Sequence, residues 1–179
     1  QRDATATVET IIERVRSEGD QALMALTEQF DGFRPDPLCV STSELEQAWN
    51  DSPADLRDAL ELAHRRIQDF HLRQKPEDLD VKGVHGERLG RRWRPVQAAG
   101  LYVPGGRASY PSTVLMNAVP ARAAGVERLV MVTPAGPNGR VNSTVMAAAH
   151  LAGVREVYRI GGAQAVAALA PVSYTHLTL

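Results

Sequence analysis

The chain has 179 residues, of which 44% are hydrophobic and 23% charged, and its formal net charge is −1. This composition is typical of a soluble protein with one ordinary domain or two small ones. No apolar run approaches the roughly 20 residues that span a bilayer, and residues 1–10 lack a signal-peptide core, so we expect a cytoplasmic protein without a membrane segment. The single cysteine, Cys39, excludes an internal disulfide and a cysteine-based zinc site, and we expect it to be buried.

Charge is divided unevenly along the chain. Residues 1–100 carry 14 Lys and Arg against 19 Asp and Glu, a net −5, whereas residues 101–179 carry 6 against 2, a net +4. The second half therefore favours an anion, and the phosphates of a dinucleotide would suit it. Arginines scattered over a surface without any ligand would give the same count. A nucleic acid is not expected, because no dense basic stripe with interleaved aromatic residues is present.

The first 75 residues have the apolar spacing of four amphipathic helices joined by short breaks. The apolar stripes include Phe30 and Phe70, which we therefore expect in the core. A short extended piece is predicted near 38–40, between the second helix and the third. The predicted helices cover 7–18, Asp20 to Phe30, the residues from Ser41 to about 49, and the residues from Ser52 to just before Pro76.

Side chains that can cap helices mark three of the four starts. Asp20 is predicted to cap the second helix, and Ser41 with Glu44 fits a capping box for the third. Ser52 and Pro53 fit the N-cap and the first helical position of the fourth, because proline lacks the amide that would stay unpaired there.

Residues 79–94 alternate apolar and polar side chains around His85-Gly86, which predicts a β-hairpin. Its second strand is strongly basic. Two interpretations stay open: an anion clamp, or charges that keep an edge strand from pairing with other chains. The basic residues are Arg88, Arg91, Arg92 and Arg94.

The second half alternates strands with helices rich in small residues. Such a βαβ series predicts three parallel strands with right-handed crossovers, and the run Leu129 to Val132 is apolar on both faces, as a covered strand must be. Ser112 and Ser143 are interpreted as helix caps. Strands are predicted over 97–103, 128–133 and 154–160, and helices over 112–124, 143–152 and 163–170.

Ligands of parallel α/β sheets bind beyond the carboxyl ends of the strands. Three segments occupy this position, namely Pro104 to Arg107, Pro134 to Asn142 and Gly161 to Gln164. Gly105-Gly106 and Gly161-Gly162 would let a phosphate or a flat ligand approach bare backbone, although tight turns without a ligand would look the same. Tyr102 and Gln164 lie beside them and could stack or hydrogen-bond; a core tyrosine and a surface glutamine are the alternatives. No G-x-G-x-x-G fingerprint is present.

Acid–base and metal-binding groups are scarce after residue 100. The carboxylates are Glu127 and Glu156, both at strand starts away from these loops, and the histidines are His150 and His176. His150 falls in the last turn of a helix, where a structural role is favoured. The sequence therefore predicts no catalytic residue and no metal ligand in this chain.

Several blocks, in this order, resemble the histidinol dehydrogenase family. They begin with the helical stretch from Ile11 to Gly32 and extend nearly to Ala170. The blocks are Gly100-Leu101-Tyr102-Val103-Pro104-Gly105-Gly106, then Pro111-Ser112-Thr113-Val114-Leu115-Met116, then Gly161-Gly162-Ala163-Gln164-Ala165.

The resemblance implies a zinc-containing homodimer that oxidises L-histidinol through an aldehyde to L-histidine in two NAD-dependent steps. It implies that Tyr102 and Gln164 contact NAD. The family's third NAD contact, an asparagine, lies downstream of the resembling region, as do its Glu-His acid–base pair, its zinc ligands and its substrate-binding serine. The resemblance thus implies an N-terminal fragment, cut near residue 170, that retains part of an NAD surface and has no turnover of its own.

The fold expected is α/β, with a helical N-terminal part plus a β-hairpin followed by an incomplete Rossmann-like parallel domain. Residues 1–97 would form part of a discontinuous domain and 98–170 the start of the NAD-binding domain. Pro171 interrupts the last helix, and residues 171–179 are β-prone without a counterpart in the family, so we expect a non-native tail.

Three other functions stay open. A relative in the same family could oxidise another small alcohol, such as a sulfonated diol, because the residues that choose the substrate lie downstream. A member of the aldehyde-dehydrogenase-like group would need a cysteine nucleophile, which this chain does not show. The chain could also be a non-catalytic nucleotide-binding or interaction module.

Overall fold

The computed structural model describes residues 2–105, 109–136 and 138–170. The predicted residues Gly106 and His176 and the tail 171–179 lie outside this part. The helices are α1 (Arg2–Glu18), α2 (Asp20–Asp31), α3 (Thr42–Asn50), α4 (Ala54–Gln74), α5 (Pro111–Ala124), α6 (Ser143–Leu151) and α7 (Gly162–Leu169). The strands are β1 (Cys39–Val40), β2 (Leu79–Lys82), β3 (Arg88–Arg91), β4 (Ala98–Tyr102), β5 (Arg128–Val132) and β6 (Glu156–Tyr158).

The main sheet has four strands in the order β1-β6-β5-β4. The pairs β4–β5 and β5–β6 are parallel, which confirms the βαβ series predicted from the sequence. The short strand β1 pairs antiparallel with β6, with Val40 opposite Val157. The helical N-terminal part therefore contributes a strand to the sheet of residues 98–170, and the domain boundary at residue 97 stays a prediction.

Helices cover both faces of this sheet, so that the fold has three layers. On one face α3, α4, α5 and α6 pack over Leu129 and Met131 of β5. On the other face α1, α2 and α7 pack over Val132 and Ile160. Alternate residues of β5 thus enter opposite cores, which explains why its sequence is apolar throughout. The α/β architecture with a helical N-terminal part and a parallel sheet is as predicted.

The observed helix starts agree only in part with those predicted from the sequence. The capping box of Ser41 and Glu44 is present in full. Asp20 was expected as a cap, but it is the first residue of α2, which follows Gly19 and has no side-chain cap. The fourth helix begins one residue later than predicted, with Pro53 at the N-cap.

The caps predicted for α5 and α6 are also wrong. Tyr110 precedes α5 and Ser112 lies inside its first turn. The cap of α6 is Asn142, whose Oδ1 accepts hydrogen bonds from the amides of Thr144 and Val145, at 3.0 and 3.3 Å. Asn142 stands directly before Ser143, and both residue types are good caps, so spacing alone does not choose between them.

Three apolar side chains expected in the core are exposed. Phe30 and Phe70 are 51% and 60% exposed, because each lies near the end of its helix, beyond the neighbours that bury the preceding stripe. Cys39 is also exposed, since strand alternation turns its neighbour Val40 into the core.

The hairpin formed by β2 and β3 is present as predicted, with Val81 opposite Leu89, and all eight of its strand residues are exposed. Arg88 pairs with Asp80, and Arg94 pairs with Asp78 at 3.0 Å. These carboxylates occupy two of the four predicted basic groups, which argues against an anion clamp formed by all four.

No described helix is long and apolar enough to span a membrane.

Candidate functional site

The carboxyl ends of β4, β5 and β6 meet at one edge of the sheet because these strands are parallel. We call this edge the rim and define it by residues 102–105, 133–135 and 160–164. The rim brings Tyr102 and the turn before Gln164 together, although β5 lies between their strands. This is the placement that the sequence predicted.

Tyr102 connects the two outer turns of the rim directly. Its hydroxyl accepts a hydrogen bond from the Gly162 amide at 3.2 Å. Gly161, the N-cap of α7, provides no side-chain cap, so Tyr102 satisfies one of the amides that a helix start leaves unpaired. Tyr102 is 37% exposed, which leaves part of its ring open to a ligand.

Gln164 lies in the first turn of α7, but its side chain is directed inward and only 1% exposed. A methyl group placed on Gly162 would lie 2.8 Å from Oε1 of Gln164, which locates the amide beneath the turn. Gly162 has a φ of +66°, a left-handed conformation that favours glycine. A ligand at the rim reaches Gln164 only after its side chain turns outward.

The two carboxylates after residue 100, Glu127 and Glu156, lie at or just before the starts of their strands and away from the rim, as predicted. Glu156 starts β6 and accepts two hydrogen bonds from Arg128, at 2.9 and 2.7 Å, which lower the pKa of Glu156 below its ordinary value. A carboxylate held ionised by an arginine is a poor general base at neutral pH. Glu127 is exposed just before β5.

His150 lies at the opposite end of α6 from the loop that follows β5. His150 lies in the last turn of α6 and stacks on Trp49, with ring centroids 6.2 Å apart, as expected of a structural residue. Within residues 2–105, 109–136 and 138–170, no three His, Cys, Asp or Glu side chains are grouped so that they could hold a metal ion.

Pro134 begins the loop that the sequence places at the ligand-binding end of β5, but the sequence assigns this residue no role of its own. It follows β5 directly and contacts the turns on both sides, through Gly105 and Gly161. The signal in the sequence is Thr133-Pro134 at the end of an apolar strand, but a proline at a strand end is ordinarily only a stop.

The layers, the parallel strands and the rim define a Rossmann-like α/β protein. The histidinol dehydrogenase family model matches residues 1–175, and the chain belongs to this family. It is 69% identical over 170 residues to the histidinol dehydrogenase of Prochlorococcus marinus strain MIT 9313, covering 95% of this chain and 38% of the relative. It is 66% identical to that of Parasynechococcus marenigrum strain WH8102, covering 95% and 39%.

A solved structure agrees with the sequence comparisons. The crystal structure of histidinol dehydrogenase from Elizabethkingia anophelis superimposes with a TM-score of 0.89 at 32% identity, covering 96% of this chain and 40% of that one. The chain therefore spans about two fifths of the length of the relatives it matches.

Proposed function

We propose that this chain is the N-terminal part of a dehydrogenase that oxidises L-histidinol through the aldehyde to L-histidine, in histidine biosynthesis. Family membership and 69% identity to a histidinol dehydrogenase support this proposal. The observation that carries the part assigned to this chain is the hydrogen bond between Tyr102 and Gly162 across the rim. It joins the two turns that the family resemblance associates with NAD.

The topology supports a cofactor at Tyr102 in particular. Helices α5 and α6 cover one face of the sheet, whereas α7 crosses to the other face and returns beneath β4, where Leu169 lies against Gly100. The chain changes face after β6, and dinucleotides bind at such a switch point, outside the carboxyl ends of the strands. Tyr102 is the last residue of β4, the strand toward which α7 returns.

The residues of the rim fit NAD in part. Tyr102 offers a partly exposed aromatic side chain with a hydroxyl, and the amides at the start of α7 favour a negatively charged group. NAD supplies the hydride acceptor of the reaction when bound. In this proposal Tyr102 stacks or hydrogen-bonds to the cofactor and Gln164 turns outward to contact it.

The described residues do not fit zinc, since they contain no suitable group of ligands. We propose that the zinc ligands, the acid–base residues and the substrate site belong to the part of the relatives that this chain does not span. The 179-residue chain would then bind NAD weakly and have no turnover by itself. We also propose that the whole enzyme is a homodimer located in the cytoplasm.

Calorimetric titration of the purified chain with NAD tests the cofactor surface. We expect saturable binding that Tyr102→Ala weakens by about tenfold, equivalent to about 1.4 kcal/mol. Gln164→Met, which keeps the buried volume but removes the amide, should also weaken it. Phe70→Ala and Gln68→Ala, on exposed positions of α4, are the matched controls and should bind like the parent chain.

Two results would contradict the proposal. Absence of saturable NAD binding by the folded parent chain would favour a scaffold or interaction module over a cofactor surface. Histidinol-dependent NADH formation by this chain with added zinc would show that the catalytic groups are not confined to the part of the relatives that this chain does not span.

A further inference from the structure

Pro134 occupies the centre of the rim because β5 lies between β4 and β6. A methyl group placed on Gly105 would lie 2.5 Å from Cγ of Pro134, and one placed on Gly161 would lie 2.7 Å from Cβ of Pro134. Carbon atoms in contact normally lie about 3.5–4.0 Å apart. Both outer turns therefore press their bare backbone against the same proline ring.

The chemistry of proline suits this position. The amide of Thr133 makes the last hydrogen bond from β5 to β6, to the Tyr158 carbonyl at 3.1 Å. The next residue, Pro134, has no amide hydrogen, so the strand can end there without leaving an unpaired donor. Its ring also lacks the free side-chain torsions through which a leucine or a methionine would move aside.

We propose that Pro134 is a positioning residue of the rim. Its ring acts as a rigid spacer that fixes the distance between the Gly105 turn and the Gly161-Gly162 turn, and so holds the Gly162 amide within reach of the Tyr102 hydroxyl. The close contact with Pro134 explains why position 161 is a glycine. Backbone conformation does not, because its φ of −130° is open to any residue. The expected effect of Pro134 on NAD binding rests on the proposed function, whereas its effect on the spacing of the rim does not.

Amide hydrogen exchange at Gly162, measured by NMR, tests the spacing without a ligand. We expect Pro134→Ala to speed exchange at Gly162 by about tenfold, while exchange at Met131 in the core of β5 stays near its parent rate. Pro53→Ala, at the N-cap of α4, is the control for the general effect of removing a proline from the unfolded chain. It should leave Gly162 unchanged.

A pair of double mutants gives a second, independent measurement. Alanine retains Cβ but lacks Cγ and Cδ, so Pro134→Ala removes the ring atoms that a methyl group on Gly105 would meet. It keeps the Cβ that a methyl group on Gly161 would meet. Gly105→Ala should therefore lower the unfolding midpoint much less in the Pro134→Ala background than in the parent chain. Gly161→Ala should keep most of its effect in that background, because the contact with Cβ at 2.7 Å remains and only the looser one with Cγ at 3.2 Å is removed.

These outcomes separate the inference from the proposed function. Faster exchange at Gly162 in Pro134→Ala, together with NAD binding weakened about tenfold, supports both. Faster exchange in a chain that does not bind NAD supports the spacer and contradicts the cofactor surface. Unchanged exchange at Gly162, or an equal cost of Gly105→Ala in both backgrounds, would overturn the spacer whatever the chain binds.

Discussion

Arg122 joins three segments of the backbone, and its removal should be costly. It lies in the last turn of α5, and its guanidinium donates to the carbonyls of Val126, Glu127 and Gly153, at 3.1, 2.6 and 2.7 Å. The first two carbonyls precede β5 and the third follows α6. One side chain thus connects the end of a helix to the entries of two neighbouring strands.

The magnitude follows from these contacts. A hydrogen bond from a charged donor contributes about 1.5–3 kcal/mol when buried. Arg122 is partly buried, so water replaces only part of the loss, and we expect Arg122→Ala to lower the free energy of unfolding by about 2 kcal/mol in total. For a chain of this length that corresponds to a midpoint lowered by about 4–8 °C. Arg122→Lys should lose roughly half as much, because one ammonium cannot reach all three carbonyls.

Thermal unfolding followed by circular dichroism measures this difference. Arg66→Ala, an exposed arginine in the middle of α4, is the control for the change in helix propensity and should leave the midpoint within about 1 °C. An unfolding midpoint for Arg122→Ala equal to that of the control would refute the reasoning that these three hydrogen bonds stabilise the segments leading into β5 and β6.

The other predictions concern a helix cap and an ion pair. Asn142→Ala should cost about 1 kcal/mol of unfolding free energy in a denaturant titration, whereas Ser143→Ala should cost far less; the reverse order would contradict the cap. Glu156→Gln should cost roughly 0.5 kcal/mol at pH 7, because the pair with Arg128 is about one third exposed. Since this pairing lowers the pKa of Glu156 in the folded state, its contribution is complete above the ordinary value of 4.5 and is lost as the pH falls through the lowered pKa. The free energies of unfolding of the parent chain and of Glu156→Gln should therefore converge in acid. A constant difference between them down to pH 2 would contradict the pairing.

The elements of the second half could be predicted from sequence because their signals are local. Apolar runs of strand length alternate with helical spacing, and glycines such as Gly125 and Gly153 end the helices. The capping box of Ser41 and Glu44 is equally local, since both partners lie within one helical turn. Parallel pairing then follows from the right-handed crossover of each βαβ unit.

The features that sequence did not reveal depend on distant contacts. The extended piece near 38–40 is predicted, but its pairing with β6 is not, because the two strands lie more than 110 residues apart in the chain. The inward direction of Gln164 depends on the space beneath Gly162, and the role of Pro134 depends on two turns that are remote in sequence. Tyr102 was found by its position after a strand, but its hydrogen bond to Gly162 required the folded arrangement.

The central claim is that the rim is a cofactor surface, and an NMR titration of the chain with NAD tests it most directly. The account predicts saturable shifts of the amides of Gly105, Gly162 and Ala163, while the amides of Gly83 and Gly90 in the exposed hairpin stay in place. Shifts confined to the hairpin, or no saturable shift at the rim at millimolar NAD, would contradict it.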